Sequence, residues 1–235
     1  MVARATLSAA LQAYGLHVRG GFCPDPSDGL QLADGRAAAV LWLVGNVGGS
    51  LWDAFAASPF AGDGHPNPLD RWSRQVGDAL AREYGGLALY PFTGPPEQPS
   101  YHPFQQWAAR SEPVHTSPLM LRIHPQYGLW HAYRFAMVFP TLEPLDRDAL
   151  RAPVQGESPC VSCADQPCLT ACPVDAFDGQ AFAVQRCSDH LHSAAGTHCM
   201  ENGCQARNAC PVATKLRYAP AQRAFHMAAF ARARV

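Results

Sequence analysis

Eight of the chain's nine cysteines lie between Cys160 and Cys210, and their spacing is that of metal-cluster ligands. The first run is Cys160-x2-Cys163-x4-Cys168-x3-Cys172-Pro173. The bacterial ferredoxin run is Cys-x2-Cys-x2-Cys-x3-Cys-Pro, so this chain differs by two extra residues in the second gap. Short gaps let one loop wrap three thiolates around three corners of a cubane. The fourth cysteine is carried away by the following helix and in two-cluster ferredoxins ligates the other cluster. The second run, Cys187-x11-Cys199-x4-Cys204-x5-Cys210-Pro211, is looser but again ends in Cys-Pro. Two 4Fe–4S clusters with exchanged fourth ligands account for all eight thiols. Cys160, Cys163, Cys168 and Cys210 would hold one, and Cys172, Cys187, Cys199 and Cys204 the other. Four-cysteine zinc sites also use short-spaced thiolates, but zinc ribbons show two Cys-x2-Cys knuckles, which this array lacks. His190, His192 and His198 are expected at the surface or beside the ligands. Cys23, alone, reads as a small core residue.

The elements that must carry this array come from a chain of 235 residues with a net charge of −1, 48% hydrophobic and 16% charged. That is enough apolar material for a real core, and the balance gives no global electrostatic case for nucleic-acid or membrane binding. No apolar run is long enough to span a bilayer and no secretory leader opens the chain, so a cytoplasmic location is expected, where disulfides are rare. The cysteine distribution divides the sequence into residues 1–150 and 151–235, joined by the charged, proline-bearing stretch Leu142–Pro159. In the first part Thr6–Tyr14 predicts a helix, Ala37–Val44 a buried strand, and Ser50 the N-cap of a further helix. Leu69, Trp72, Val76, Leu80 and Tyr84 form one helical stripe ended by Gly85. Leu87–Phe92 predicts a strand and Thr93–Pro103 a loop. Leu119–Ile123 and Trp130–Phe139 predict two strands joined by a turn at residues 124–128. The mixture predicts an α+β domain.

Two resemblances add to this reading. The C-terminal part resembles the dicluster ferredoxin domain of epoxyqueuosine reductases and cobalamin-dependent reductive dehalogenases. Arg186-Cys187 matches that domain's isolated cysteine, and Cys199, Cys204 and Cys210 match its last three. The N-terminal part resembles the cobalamin-processing protein of the cblC type. His65-Pro66-Asn67 before a helix, and the stretch Ile123-His124-Pro125-Gln126-Tyr127-Gly128-Leu129-Trp130-His131-Ala132-Tyr133-Arg134, carry this likeness over roughly residues 15–143. It implies a nitroreductase-like fold that holds cobalamin, with FMN as the alternative cofactor of that fold. It also implies glutathione as a partner at the position of Arg134. The catalytic acid of epoxyqueuosine reductase has no counterpart here, and the Thr93–Pro103 segment is an insertion relative to the cblC-type protein.

His65, His124, Tyr127, Trp130 and Arg134 are the cofactor-binding candidates. Each has a plain structural alternative: His65 a helix start, His124 a turn, Tyr127, Trp130 and Tyr133 core packing. Arg134, in an apolar strand, needs either an anionic ligand or an acidic side chain as partner. No acidic residue follows Glu201, and Ala221–Arg234 reads as a helix with a basic face, a solvated surface or a dock for a flavodoxin or ferredoxin. The combined expectation is an iron–sulfur oxidoreductase passing electrons through two clusters to cobalamin, for processing of that cofactor or reduction of a small substrate. The alternatives are a flavin-dependent reductase and a non-catalytic electron carrier or cobalamin chaperone.

Overall fold

The computed structural model describes residues 3–94 and 98–233. In chain order the elements are α1 (Arg4–Gln12), β1 (His17–Phe22), β2 (Val40–Val47), α2 (Trp52–Ala56), α3 (Pro68–Tyr84), β3 (Leu87–Leu89), β4 (Phe92–Thr93), β5 (Ser100–Tyr101) and α4 (Phe104–Ser111). They continue with β6 (His115–Thr116), β7 (Arg122–Ile123), β8 (His131–Phe139), α5 (Pro167–Thr170), α6 (Val184–Leu191), α7 (Thr197–Asn202), α8 (Gln205–Asn208) and α9 (Pro220–Arg232). Contacts sort the chain into two compact units, Met1–Glu112 with Ala132–Val154, and Pro113–His131 with Gln155–Val235.

The first unit is built on a four-stranded sheet in the order β1-β2-β8-β3, with β1 antiparallel to β2 and β3 antiparallel to β8. Strand β2 is a nearly unbroken apolar run, buried from Val40 to Asn46, as a strand covered on both faces must be. Helix α3 buries the stripe Leu69, Trp72, Val76 and Leu80. It ends at Gly85, whose φ of 69° is the left-handed conformation that glycine adopts without steric cost.

Local expectations shift where tertiary pairing takes over. Strand β2 starts three residues later than the apolar run suggests. Ser50 does not cap α2, which begins at Trp52; its hydroxyl donates instead to the Gly15 carbonyl at 2.6 Å. The strand expected over Leu87–Phe92 stops at Leu89, before Pro91, whose ring nitrogen has no hydrogen to give a ladder. Part of the segment expected to be loop forms the small β4–β5 hairpin; residues 95–97 within it lie outside the described residues. The hairpin expected between Leu119–Ile123 and Trp130–Phe139 does not form. Strand β7 pairs with β6, while β8 enters the main sheet between β2 and β3. Its run Phe135–Phe139 is fully apolar and buried, and only a central position covers both faces.

The second unit is a set of short helices and turns around the cysteines. The single boundary expected near residue 150 gives way to a return of the chain: Leu119, Ile123 and Leu129 share a buried cluster with Cys172, Ala176, Ala206 and Cys210. A smaller cluster joins Leu191, Cys199 and Ala231. Among the described residues no helix is long and apolar enough to cross a membrane.

Candidate functional site

None of the nine cysteines is in a disulfide. Eight are gathered around two separate cavities in the second unit. Cys160, Cys163, Cys168 and Cys210 line one of about 290 Å³, closed by Pro118, Ile123 and Val212. Cys172, Cys187, Cys199 and Cys204 line another of about 300 Å³, closed by Phe177, Leu191, Met227 and other apolar groups. Each cavity therefore takes three cysteines from one run and one from the other. Among the described residues no three His, Cys, Asp or Glu side chains form a site for a single metal ion.

The backbone explains how each run delivers its thiols. Two Cys-Pro-Val turns, Cys172-Pro173-Val174 and Cys210-Pro211-Val212, are each followed by a residue in the left-handed region, Asp175 at φ 47° and Ala213 at φ 54°. Gln166, at φ 37°, makes the same kind of reversal ahead of α5, which carries Cys168. Non-glycine residues adopt this conformation at a cost, so at these three reversals beside cysteines the surrounding structure overrides the local preference.

Backbone and side-chain N–H groups point at sulfur. Ala176 donates to Cys172 Sγ at 3.3 Å, and Gln205 Nε2 to Cys199 Sγ at 3.5 Å. His190 Nε2 lies 3.8 Å from Cys199 Sγ. Burial, first, and neighbouring thiols of the same quartet, second, raise the thiol pKa values. Cys187 is pushed up to about 11 by burial and by Cys204, Cys172 and Cys199. Cys160 and Cys168 rise by burial and by Cys210 and Cys163. As thiolates the four would repel one another and be poorly solvated, which a bound cationic centre would offset.

The three histidines separate. His192 and His198 are exposed, while His190 borders the second cavity. Cys23 is exposed, not a core residue, because the turn after β1 leaves the sheet at that point.

The five cofactor candidates divide between the units, His65 and Arg134 in the first and His124, Tyr127 and Trp130 in the second. His65 is exposed, its backbone N–H bonded to Asp63, which in turn pairs with Arg71. In the second unit His124 is buried and stacked on Tyr127 at 4.2 Å, accepting from the Gln126 N–H at its Nδ1. Trp130 is 1% exposed, edge-on to Tyr218, with the Arg207 guanidinium 4.7 Å from each ring. Arg134, in the first unit, has the acidic partner that the sequence left as one of two possibilities. Its guanidinium donates to Asp70 at 2.5 Å and to Ser73 at 3.1 Å. With Arg74, Tyr90 and Phe92 these residues border a cavity of about 190 Å³. Ligand pockets run to about 300–1,000 Å³, so this cavity is too small for a macrocycle.

Sequence reading missed a buried network in the first unit. Arg19 forks onto Glu112 at 3.1 and 3.0 Å and donates to the Asn46 carbonyl at 2.9 Å; the Tyr133 hydroxyl donates to the same carboxylate. Arg19 and Glu112 are 93 residues apart, and nothing in local pattern joins them.

The sequence matches no family model and no curated protein. Solved structures do resemble the chain. The C. elegans B12-trafficking protein CblC, a human MMACHC homologue, aligns at 13% identity with a TM-score of 0.53, over 96% of this chain and 92% of that one. An epoxyqueuosine reductase solved with an epoxyqueuosine-modified tRNA-Tyr stem loop aligns at 13% identity and a TM-score of 0.46, over 92% of this chain and 68% of the enzyme. The epoxyqueuosine reductase of Bacillus subtilis aligns at 15% identity and 0.42, and this chain spans 58% of its length. By the first of these likenesses the chain shares the fold of the C. elegans protein.

Proposed function

We propose that the chain is an iron–sulfur redox protein whose second unit holds two 4Fe–4S clusters and supplies electrons to a cobalamin. The single observation that carries this reading is the sorting of eight cysteines into two four-thiol cavities, with one ligand exchanged between the runs. A quartet spread around a cavity suits a polynuclear cluster, whereas zinc needs its four sulfurs about 2.3 Å from one point. Bound there, the clusters would supply one-electron storage and transfer. The chain's own part is to fix the thiolates, to aim the Ala176 and Gln205 N–H groups at sulfur, and to keep water out with Phe177, Leu191 and Met227.

Cobalamin enters through the fold shared with the C. elegans B12-trafficking protein, not through a pocket of corrin size. We assign no residue to the macrocycle and no step to it. Arg74 and Arg134, which border the small cavity beside Asp70, are the cations that a carboxylate of glutathione would meet.

Anaerobic purification tests the reading. About eight iron and eight acid-labile sulfide per chain are expected. Stoichiometric zinc without sulfide would overturn it. Titration of the iron-loaded protein with cobalamin and, separately, with FMN then tests the second cofactor: a visible spectral change with cobalamin is expected, and binding of FMN alone would replace it with a flavin.

A further inference from the structure

Cys199 stands apart among the eight clustered cysteines. It is buried, and two side-chain nitrogens reach its sulfur, Gln205 Nε2 at 3.5 Å and His190 Nε2 at 3.8 Å. Each comes from beside another cysteine of the same quartet. His190 follows Cys187 by three residues on α6, so both face the second cavity. Gln205 follows Cys204 at the start of α8 and lines that cavity as well. The His190 backbone is held in place. Its carbonyl accepts from the Ser193 N–H at 3.0 Å and from the Ser193 hydroxyl at 2.7 Å. Gly196 packs so closely on it that an added Cβ would lie 2.1 Å from the His190 carbonyl oxygen.

A thiolate bound to iron has no proton to give and can only accept. Against Cys199 the His190 ring must then carry its proton on Nε2, and Gln205 must present its amide nitrogen. Backbone donors add to the same quartet, Ala176 on Cys172 and Ala206 and Arg207 on Cys204. The first quartet is served more sparsely. The Ser158 hydroxyl and the Val212 N–H favour the thiolates of Cys160 and Cys210. Among the described residues no side-chain nitrogen bonds any of its four sulfurs. Solvent access does not separate the two, since the cavities are alike at about 290 and 300 Å³ and burial raises the thiols in both. Arg217 favours the Cys210 thiolate, but from an exposed position where solvent screens its charge.

Reduction adds negative charge to a cluster and its sulfurs. N–H donors aimed at those sulfurs stabilise that charge, so the cluster with more donors has the higher potential. We propose that His190 and Gln205 are positioning residues that, through Cys199, make the second cluster the electron sink of the pair. The proposal rests on the cluster reading above. An electron on the first cluster passes to the second: the first is oxidised, the second is reduced, no bond breaks and no proton moves. Two side chains that ligate nothing thereby give the pair a direction.

The test is a potentiometric titration of the iron-loaded full chain with dithionite, followed by electron paramagnetic resonance. The two signals are assigned through Cys160→Ser and Cys204→Ser. In wild type the signal altered by Cys204→Ser is expected to appear first, at the higher potential. His190→Leu and Gln205→Met each remove one donor and keep an apolar side chain in its place. Each is expected to disfavour reduction of the second cluster about tenfold, a downward move of about 59 mV for one electron, with the first cluster's midpoint unchanged. His190→Gln, which keeps an N–H, is expected to restore part of the loss. If the signal altered by Cys160→Ser appears first in wild type, the order is reversed and the inference is overturned. Midpoints that stay put in both variants with iron retained also overturn it. So does loss of the second cluster's iron from both, which would make the two residues structural. A chain without iron and sulfide would fail earlier, at the metal analysis, and would overturn the cluster reading itself.

Discussion

Cys172 and Cys210 occupy equivalent turns and serve opposite cavities. Each begins a Cys-Pro-Val turn followed by a residue at positive φ, yet Cys172 lines the cavity of the second run and Cys210 that of the first. Proline at the second position fixes φ and cannot donate, so the chain leaves each cysteine in one direction only.

This exchange predicts a spectroscopic result. Cys210→Ser should alter the same paramagnetic signal as Cys160→Ser, and Cys172→Ser the same signal as Cys204→Ser. Measured by electron paramagnetic resonance on the dithionite-reduced protein, a grouping of Cys210 with Cys204 instead would show sequential ligation.

Gly128 is predicted to matter for the first cluster without being a ligand. Its φ is 56°, and an added Cβ would meet the Val212 carbonyl oxygen at 2.4 Å, in the turn that presents Cys210. Gly128→Ala combines left-handed strain with that clash, at a cost of about 1–3 kcal/mol. Iron content should fall while the second cluster's signal persists; unchanged iron and unchanged thermal stability would remove Gly128 from this role.

The Arg19–Glu112 pair should behave as a buried ion pair. Its side chains are 2% and 7% exposed. Glu112→Ala leaves the Arg19 guanidinium and the Tyr133 hydroxyl buried without their shared acceptor and should cost about 3–5 kcal/mol in urea unfolding.

The same residue gives a pH signature. Burial lifts the Glu112 carboxyl above its ordinary value of 4.5, outweighing Arg19 and Tyr133. The folded state therefore holds the proton more readily than the unfolded one. This contribution is present in full below pH 4.5 and is lost as pH rises through the raised folded value. Urea unfolding from pH 4 upward should show the slope in wild type, and Glu112→Gln should flatten it.

Arg134 and Asp70 should move anion binding in opposite directions. Asp70 is 40% exposed on its side chain, so the pair adds about 1 kcal/mol or less to stability. Asp70→Asn should tighten glutathione binding by removing a competing carboxylate. Arg134→Lys, which cannot fork onto Ser73 and an anion together, should weaken it about tenfold. Isothermal titration decides this, and identical affinities in both variants would leave Arg134 a structural residue.

The residue types and spacing of the cysteine array were legible in the sequence, because ligand runs of this kind are local. So was helix α3, whose stripe at 3.6-residue period and terminal Gly85 depend only on neighbours along the chain. The α+β character followed from alternating helical and apolar segments. The tertiary structure alone decided the rest. It sent β8 into the sheet instead of a hairpin, since burying Phe135–Phe139 on both faces outweighs pairing with the nearest segment. It joined residues 113–131 to the cysteine unit, where Leu119, Ile123 and Leu129 supply apolar surface that the cysteine segment lacks. It gave Arg134 a carboxylate 64 residues away and left Cys23 exposed. Partners at such separations are fixed by packing, and no periodicity in the chain encodes them.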